Sequence, residues 1–212
     1  ILGGGWLGLA LAREGIEKGY QVKVSSTSKE KTNQLLVEGY LAYFMKISEI
    51  KTQGQLDFFK DLDTLVITIP PGFRKNPERN YIGLLEQVIK EVESFKIRKV
   101  IYTSSISVYG FQEGVINEES ALLGNTPPAQ QIMKVEQKLI ENNNFTSIII
   151  RLGGLIGPNR HPIFTLSGKK NIPNPNSPIN FIHQKDAVAI LLKLTENFSE
   201  DEVFNGVSPF HP

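Results

Sequence analysis

The chain has 212 residues, 40% of them hydrophobic and 21% charged, and a net charge of +1 at neutral pH. That length suits one α/β domain with a small appendage, and the interspersed acids and bases give no sign of a nucleic-acid surface or an acidic partner. The absence of cysteine excludes disulfides, Cys-ligated zinc and thiol chemistry and fits a reducing, cytoplasmic setting. No apolar run approaches the ~20 residues of a membrane span, and no signal peptide is visible. The chain opens on Ile1 in what reads as mid-strand, so a few further residues are expected before it in the natural protein.

Ile1-Leu2 runs into Gly3-Gly4-Gly5-Trp6-Leu7-Gly8, a G-x-G-x-x-G pattern, and a helix-like segment from Leu9 to Lys18 follows. Strand, glycine turn and helix in that order form a dinucleotide-binding fingerprint. Gly3 serves the tight turn, Gly5 the approach of a pyrophosphate and Gly8 the packing of helix on strand. The helix start offers unpaired N–H groups and a positive dipole end. Leu7, Ala10, Leu11 and Ile16 supply its expected buried stripe. A second strand is expected over Gln21–Ser25 and ends in Ser25-Ser26-Thr27-Ser28-Lys29. A carboxylate there would bind the ribose hydroxyls of NAD and repel a 2′-phosphate. Hydroxyls with Lys29 and Lys31 stand there instead, which favours NADP, with NAD still open; these residues also suit the cap of a helix from Lys29 to Glu38.

A third strand is expected over Leu41–Met45, then an unpatterned stretch to Asp61. The continuous β-branched run Thr64–Ile69 predicts a strand buried on both faces, stopped by Pro70-Pro71-Gly72. A long helix, Pro77 to Phe95, leads to a fifth strand, Val100–Ser104, and a loop from Ile106 to Asn125. A helix over Ala129–Glu141 precedes the sixth strand, Thr146–Leu152. Strands alternating with helices predict a parallel, doubly wound sheet with ligands at the carboxyl ends of the strands. From Gly153 to Pro178 the chain is rich in Gly, Pro and Asn, with a turn cluster at 171–178, composition that shapes a pocket rather than a core. A short strand (Ile179–Ile182), a helix (Gln184–Glu196) and a last strand (Val203–Asn205) follow. The expected division is a nucleotide-binding domain over 1–152 and a small substrate-binding portion over 153–212, packed as one unit.

Four segments carry a resemblance. They are the glycine turn, Tyr102-Thr103-Ser104-Ser105-Ile106-Ser107-Val108-Tyr109-Gly110, the run Arg151 to Arg160 with its Gly157-Pro158-Asn159-Arg160, and Asn180-Phe181-Ile182-His183-Gln184-Lys185-Asp186-Ala187. Together they resemble the NAD(P)-dependent epimerase/dehydratase family, the extended short-chain dehydrogenases/reductases, and Ile69-Pro70-Pro71 and the short carboxy-terminal part look like an atypical branch. The resemblance implies a Rossmann-like α/β fold and an oxidoreductase or epimerase acting on a small carbonyl or sugar-like molecule. It also implies a possible homodimer through helices flanking the sheet.

By the same resemblance, Ser105 holds the reacting oxygen, and a hydroxyl can polarise an oxygen without ionising. The cofactor site is expected to draw on Gly3, Gly5, Trp6, Leu7 and Gly8, on Ser26, Thr27 and Lys29, on Ile69, Pro70 and Pro71, and on Ser104 and Lys134. The family places Tyr-x-x-x-Lys in the next helix, the Tyr as acid/base and the Lys on the nicotinamide ribose. Here the matching positions are Gln130 and Lys134, and none of the six tyrosines has a Lys four residues on. Glutamine exchanges no proton near neutral pH; Lys134 either binds ribose or is an ordinary solvated helix residue.

Substitute proton carriers are Tyr109, close to Ser105 in sequence, and His161, in the presumed substrate loop. His183 and Asp186 sit at a strand-to-helix join, where Asp186 suits a helix cap. With His161, His183 and His211 as the three histidines, no metal-ligand set is visible. Arg151 and Arg160 could hold an anionic substrate group, and Arg151, at the end of a buried strand, could equally pair with an internal acid. Two other readings stay open. One is a non-catalytic NAD(P) sensor that lost the Tyr; the other is a non-redox lyase or isomerase on a nucleotide-linked sugar, with His161 or His183 as base.

Overall fold

The computed structural model describes residues 1–172, 178–197 and 200–210. The 173–177 part of the expected turn cluster, and His211, lie outside them. Helix α1 spans Trp6–Glu17 and starts three residues before the expected Leu9, inside the glycine turn. Strand β1 is Lys23–Ser26. Helix α2, Lys29–Val37, is capped by the Ser28 hydroxyl, which accepts from the Lys31 amide. Strand β2 is Leu41–Ile47; the stretch that sequence pattern left blank holds a short strand β3, Thr52–Gly54, and a 3-10 turn, Leu56–Phe59, that buries Phe58 and Phe59.

Strand β4, Thr64–Ile67, stops two residues short of the expected end, because Thr68 turns its hydroxyl to the Gly3 carbonyl at 2.8 Å. Helix α3 is Tyr81–Ser94, capped by Asn80, so 77–80 is loop rather than helix. Then come β5, Lys99–Ser105, a 3-10 turn over Ile106–Tyr109, and α4, Pro127–Ile140, capped by Thr126 with proline in its first turn. Strand β6 is Thr146–Leu152, β7 Gly154–Ile156, α5 Ile163–Leu166, β8 Phe181–His183, α6 Gln184–Glu196 and β9 Glu202–Gly206.

Ile1 and Leu2 lie between two half-sheets. The Ser25 amide donates to the Ile1 carbonyl at 3.1 Å, and the Leu2 amide to the Val66 carbonyl at 2.8 Å. Leu2 thereby bridges Ile67 in parallel. The sheet runs β3-β2-β1, then Ile1–Leu2, then β4-β5-β6-β9, parallel throughout except β3 on β2. Strand order reverses across Ile1–Leu2, the place where open α/β sheets leave a crevice. This is a Rossmann-like α/β fold.

Alternating residues of β4, β5 and β6 feed two cores, and Val24 and Ala42 pack with Leu35 of α2 in a smaller third. Leu65, Ile67, Val100, Tyr102 and Ile149 pack with Leu84, Leu85 and Val88 of α3 and Ile132, Val135 and Leu139 of α4. Val66, Ile101, Ile148 and Ile150 pack with Leu7 and Leu11 of α1 and Ala187, Val188, Leu191 and Leu192 of α6. Each fully buried aliphatic side chain contributes about 1.5–3 kcal/mol. Ile16 is not in this stripe: it is 44% exposed near the end of α1. The described buried residues of α6 and β8 belong to the same core as α1. Strands β7 and β8 make a small separate sheet, while α6 and β9 return to cover and extend the main one. No helix among the described residues is long and apolar enough to cross a membrane.

Candidate functional site

The glycine turn, the end of β1 and the loop after β4 enclose a cleft of about 260 Å³. Gly3, Gly4, Gly5, Ser25, Ser26, Thr27, Ser28, Lys31, Thr68, Ile69, Pro70 and Arg79 form its polar and backbone walls, with Met45, Ile47 and Leu84 as an apolar end. No carboxylate lines it, and two cations do. Gly3 holds φ +116°, and its amide donates to the Ser25 hydroxyl at 2.9 Å. A Cβ at Gly8 would lie 2.1 Å from the Gly3 carbonyl oxygen, whereas one at Gly5 would meet nothing within 4 Å. Gly8 is therefore required by packing, and Gly5 leaves open space over the turn.

The remaining residues expected at the cofactor divide. Ser26 and Thr27, Ile69 and Pro70 line the cleft; Pro71 stands beside it and its carbonyl accepts from Arg79 Nη1 at 3.0 Å. Lys29 does not reach it: its ammonium lies 5.6 Å from the Phe44 ring. Lys31, two residues further along α2, takes that place, with Nζ 2.7 Å from the Gly4 carbonyl across the cleft. Leu7 is turned into the core. Trp6 faces away from the cleft: its indole N–H donates to the Pro158 carbonyl at 2.8 Å, and the Arg160 guanidinium lies 5.1 Å over its ring.

At the ends of β5, β6 and β9 the register aligns Ser104 with Arg151 and Arg151 with Asn205. Glu136 of α4 faces this row. Its carboxylate accepts from the Ser104 hydroxyl and from Arg151 Nη2 at 2.8 Å, with the two side chains 2% and 5% exposed. Arg151 Nη1 donates to the Tyr109 hydroxyl at 2.9 Å, which donates in turn to Asn205 Oδ1 at 2.8 Å. Burial works against the Arg151 charge, but the hydrogen bonds to Glu136 and Tyr109 outweigh it and hold the guanidinium above its ordinary range. These positions bear on three expectations. Ser104 is spent on Glu136 rather than facing a cofactor. Of the two readings of Arg151, pairing with an internal acid is the one observed. Tyr109 is 4% exposed with its hydroxyl engaged on both sides, so it is no ready proton carrier.

Ser105 is half-buried at the end of β5, and its Oγ accepts from the Ser107 amide at 3.2 Å. Gln130 and Lys134 both lie on the exposed face of α4, away from the apolar stripe. Gln131, not Gln130, is the residue of that pair that reaches inward: it donates to the Arg79 carbonyl at 3.0 Å and accepts from the Tyr81 amide at 2.7 Å. His161 is exposed, its Nδ1 accepting from the Ile163 amide at 3.1 Å. The cap of α6 comes from His183, whose Nδ1 accepts from the Lys185 amide at 3.2 Å; Asp186 sits exposed in the first turn and is not the cap.

Sequence reasoning missed Arg79, because its segment reads as helix, and Glu136, for which a signal existed. An acid beside Val135 and between Ile132 and Leu139 falls inside an apolar stripe, where it needs a buried partner.

No family model matches the chain. Protein YeeZ of Escherichia coli strain K12 is 29% identical over 215 residues, which cover 100% of this chain and 78% of that protein. Among solved structures, a functionally unknown conserved protein from Silicibacter pomeroyi superposes with TM-score 0.77 at 21% identity, over 99% of this chain and 72% of that one. MoeE5 in complex with UDP-glucose and NAD superposes with TM-score 0.79 at 16% identity, over 100% of this chain and 76% of that one. The fold of this chain is thus shared along its length with about three quarters of MoeE5, a protein seen in complex with UDP-glucose and NAD.

Proposed function

We propose that this chain binds NADP in the cleft at the glycine turn, and NAD less tightly, as an oxidoreductase or epimerase of the epimerase/dehydratase kind acting on a small carbonyl or sugar-like substrate. The observation that carries the reading is the cleft wall: glycine backbone, four consecutive hydroxyl residues from Ser25 to Ser28, Lys31 and Arg79, and no carboxylate. Such donors suit a pyrophosphate and a ribose 2′-phosphate. An acid that would repel that phosphate is missing from the end of β1. The nicotinamide, when bound, supplies hydride exchange. Ser105 then orients the reacting oxygen: its Oγ accepts one bond from Ser107, so its own proton is available to the substrate.

Titration with NADPH and with NADH, followed through the emission of Trp6, tests the cofactor. Tighter NADPH is expected, and Lys31→Ala should weaken NADPH about tenfold while leaving NADH nearly unchanged. Tighter NADH would overturn the NADP preference, and no binding of either by calorimetry would overturn the dinucleotide reading.

A second reading, a non-catalytic NADP-binding sensor, is favoured by one group of positions. Gln130 and Lys134 are exposed on α4, and the nearby Tyr109 hydroxyl is already engaged. Wild-type turnover on any carbonyl substrate would remove this reading; cofactor binding without turnover, with activity appearing in Gln130→Tyr, would support it.

A further inference from the structure

The loop between β4 and α3 forms one wall of the cleft and is folded on itself. The carbonyl of Gly72, a residue at φ +74°, accepts from the Lys75 amide at 3.0 Å and from the Asn76 amide at 3.2 Å, and the Arg79 amide donates to the Asn76 carbonyl at 3.2 Å. Side chains from the far end of the loop then hold its near end. Arg79 Nη1 donates to the Pro71 carbonyl at 3.0 Å and to the Pro70 carbonyl at 3.4 Å. The Tyr81 hydroxyl donates to the Ile69 carbonyl at 2.9 Å. The fit is close, since a Cβ on Gly72 would lie 2.6 Å from Arg79 Nη1. The carbonyls of Ile69, Pro70 and Pro71 are thus held from residues 79 and 81.

Residues 79–81 are held in turn by one side chain of another element. Gln131, half-buried on α4, donates through Nε2 to the Arg79 carbonyl at 3.0 Å and accepts at Oε1 from the Tyr81 amide at 2.7 Å. A single amide thus uses its donor and its acceptor on one short stretch of backbone, which fixes both the position and the orientation of that stretch. Gln131 itself does not line the cleft, whereas Arg79 does. The bonds from Arg79 to the loop carbonyls use Nη1 alone, and its Nε and Nη2 have no partner among the described residues. A guanidinium carries its N–H donors in a rigid fork, so fixing the Arg79 backbone and Nη1 also sets where the unspent donors lie.

We propose that Gln131 is a positioning residue for the dinucleotide: it holds Arg79 so that Nη1 keeps the cleft wall in place while the unspent N–H groups of the guanidinium bind a phosphate oxygen of the cofactor. Gln131 touches no cofactor and acts through Arg79. The proposal rests on the dinucleotide reading, which already places Arg79 in the cleft wall, and adds the residue outside the cleft that decides how Arg79 stands. It also gives α4 a part in cofactor binding, through the residue next to Gln130. An apolar residue of the same length at 131 would release the backbone of residues 79–81 without altering any group that lines the cleft.

The test is a double-mutant cycle on NADPH affinity, read by calorimetry, with NADH titrated in parallel. Gln131→Met keeps the length of the side chain and removes both hydrogen bonds; it should weaken NADPH about fivefold to tenfold. Arg79→Ala should weaken it at least about tenfold. Adding Gln131→Met to Arg79→Ala should then cost less than about a further twofold, because the residue through which Gln131 acts is already gone. Circular dichroism confirms the folding of each variant. Gln131→Asn, whose shorter amide cannot span both partners, should give the same pattern and replaces Gln131→Met if that variant does not fold. A loss shared by NADPH and NADH places Arg79 on the pyrophosphate, and a loss for NADPH alone places it on the 2′-phosphate; both support the pair. Losses that multiply in the double variant would mean that Gln131 acts on the fold alone and would overturn the proposal, as would wild-type affinity in either single variant. Wild-type protein that binds neither dinucleotide removes the dinucleotide reading and this proposal with it, an outcome seen before any variant is measured.

Discussion

At the end of β1, the hydroxyls of Ser26 and Thr27 and the ammonium of Lys31 open onto the cleft. At the ends of β5, β6 and β9, polar groups of the same kinds close on one another: Ser104 and Arg151 on Glu136, and Tyr109 on Asn205. Both sets stand at carboxyl strand ends of one sheet, yet the first lines a cleft, with Lys31 Nζ also holding the Gly4 carbonyl, and the second is bonded within itself. The difference lies in what covers the strand end. Helix α4 lays a carboxylate against β5 and β6, whereas the glycine turn brings only backbone to β1. A polar residue at a strand end is thus a site candidate only after its neighbours on the covering helix are known.

The closed set should show itself in stability. Glu136→Ala leaves Arg151 buried without its partner and should cost about 3–5 kcal/mol in denaturant unfolding. Replacing both, with Glu136→Leu and Arg151→Met, should recover most of that loss, and a double variant no better than the single one would break the contrast.

The glycine turn separates packing from binding. Gly8→Ala, with its Cβ 2.1 Å from a backbone oxygen, should cost about 3 kcal/mol. Gly5→Ala should leave unfolding within about 0.5 kcal/mol of wild type while weakening NADPH, since its Cβ meets only open space over the turn.

Tyr81, behind the Ile69 wall of the cleft, offers a pH test. Its hydroxyl donates to the Ile69 carbonyl at 2.9 Å, and burial pushes its pKa up to about 12. The unfolded chain then loses this proton near pH 10 while the folded protein keeps it, so stability falls as pH rises from about 10 to 12. The expected loss is on the order of 2–3 kcal/mol; it is complete above the folded pKa and should shrink in Tyr81→Phe. The smallest effect is the selective loss of NADPH affinity in Lys31→Ala, about 1.4 kcal/mol for tenfold.

The glycine-turn and β1 walls of the cleft were legible in sequence because their parts are local, whereas Arg79 was not. Gly3, Gly5 and Gly8 are close neighbours in the chain, and the missing acid after the second strand is a matter of composition. Even so, helical phase decided that Lys31 rather than Lys29 reaches the cleft: Ser28 caps the helix, and from that start the two lysines point in different directions. The Tyr109–Asn205 contact joins residues 96 apart in sequence and was not readable at all, nor was the pinning of Arg160 on Trp6.

By itself the sequence determined the alternation of strands and helices, the glycine turn and the absence of a tyrosine four residues before any lysine, since each is a matter of periodicity or residue identity. Tertiary structure alone decided which of the equally polar residues Ser104, Ser105, Tyr109, Arg151 and Arg160 are spent and which remain open. A side chain's hydrogen-bonding capacity is written in its chemistry, but its partner is chosen by sheet register and helix packing, which bring together groups far apart in the chain.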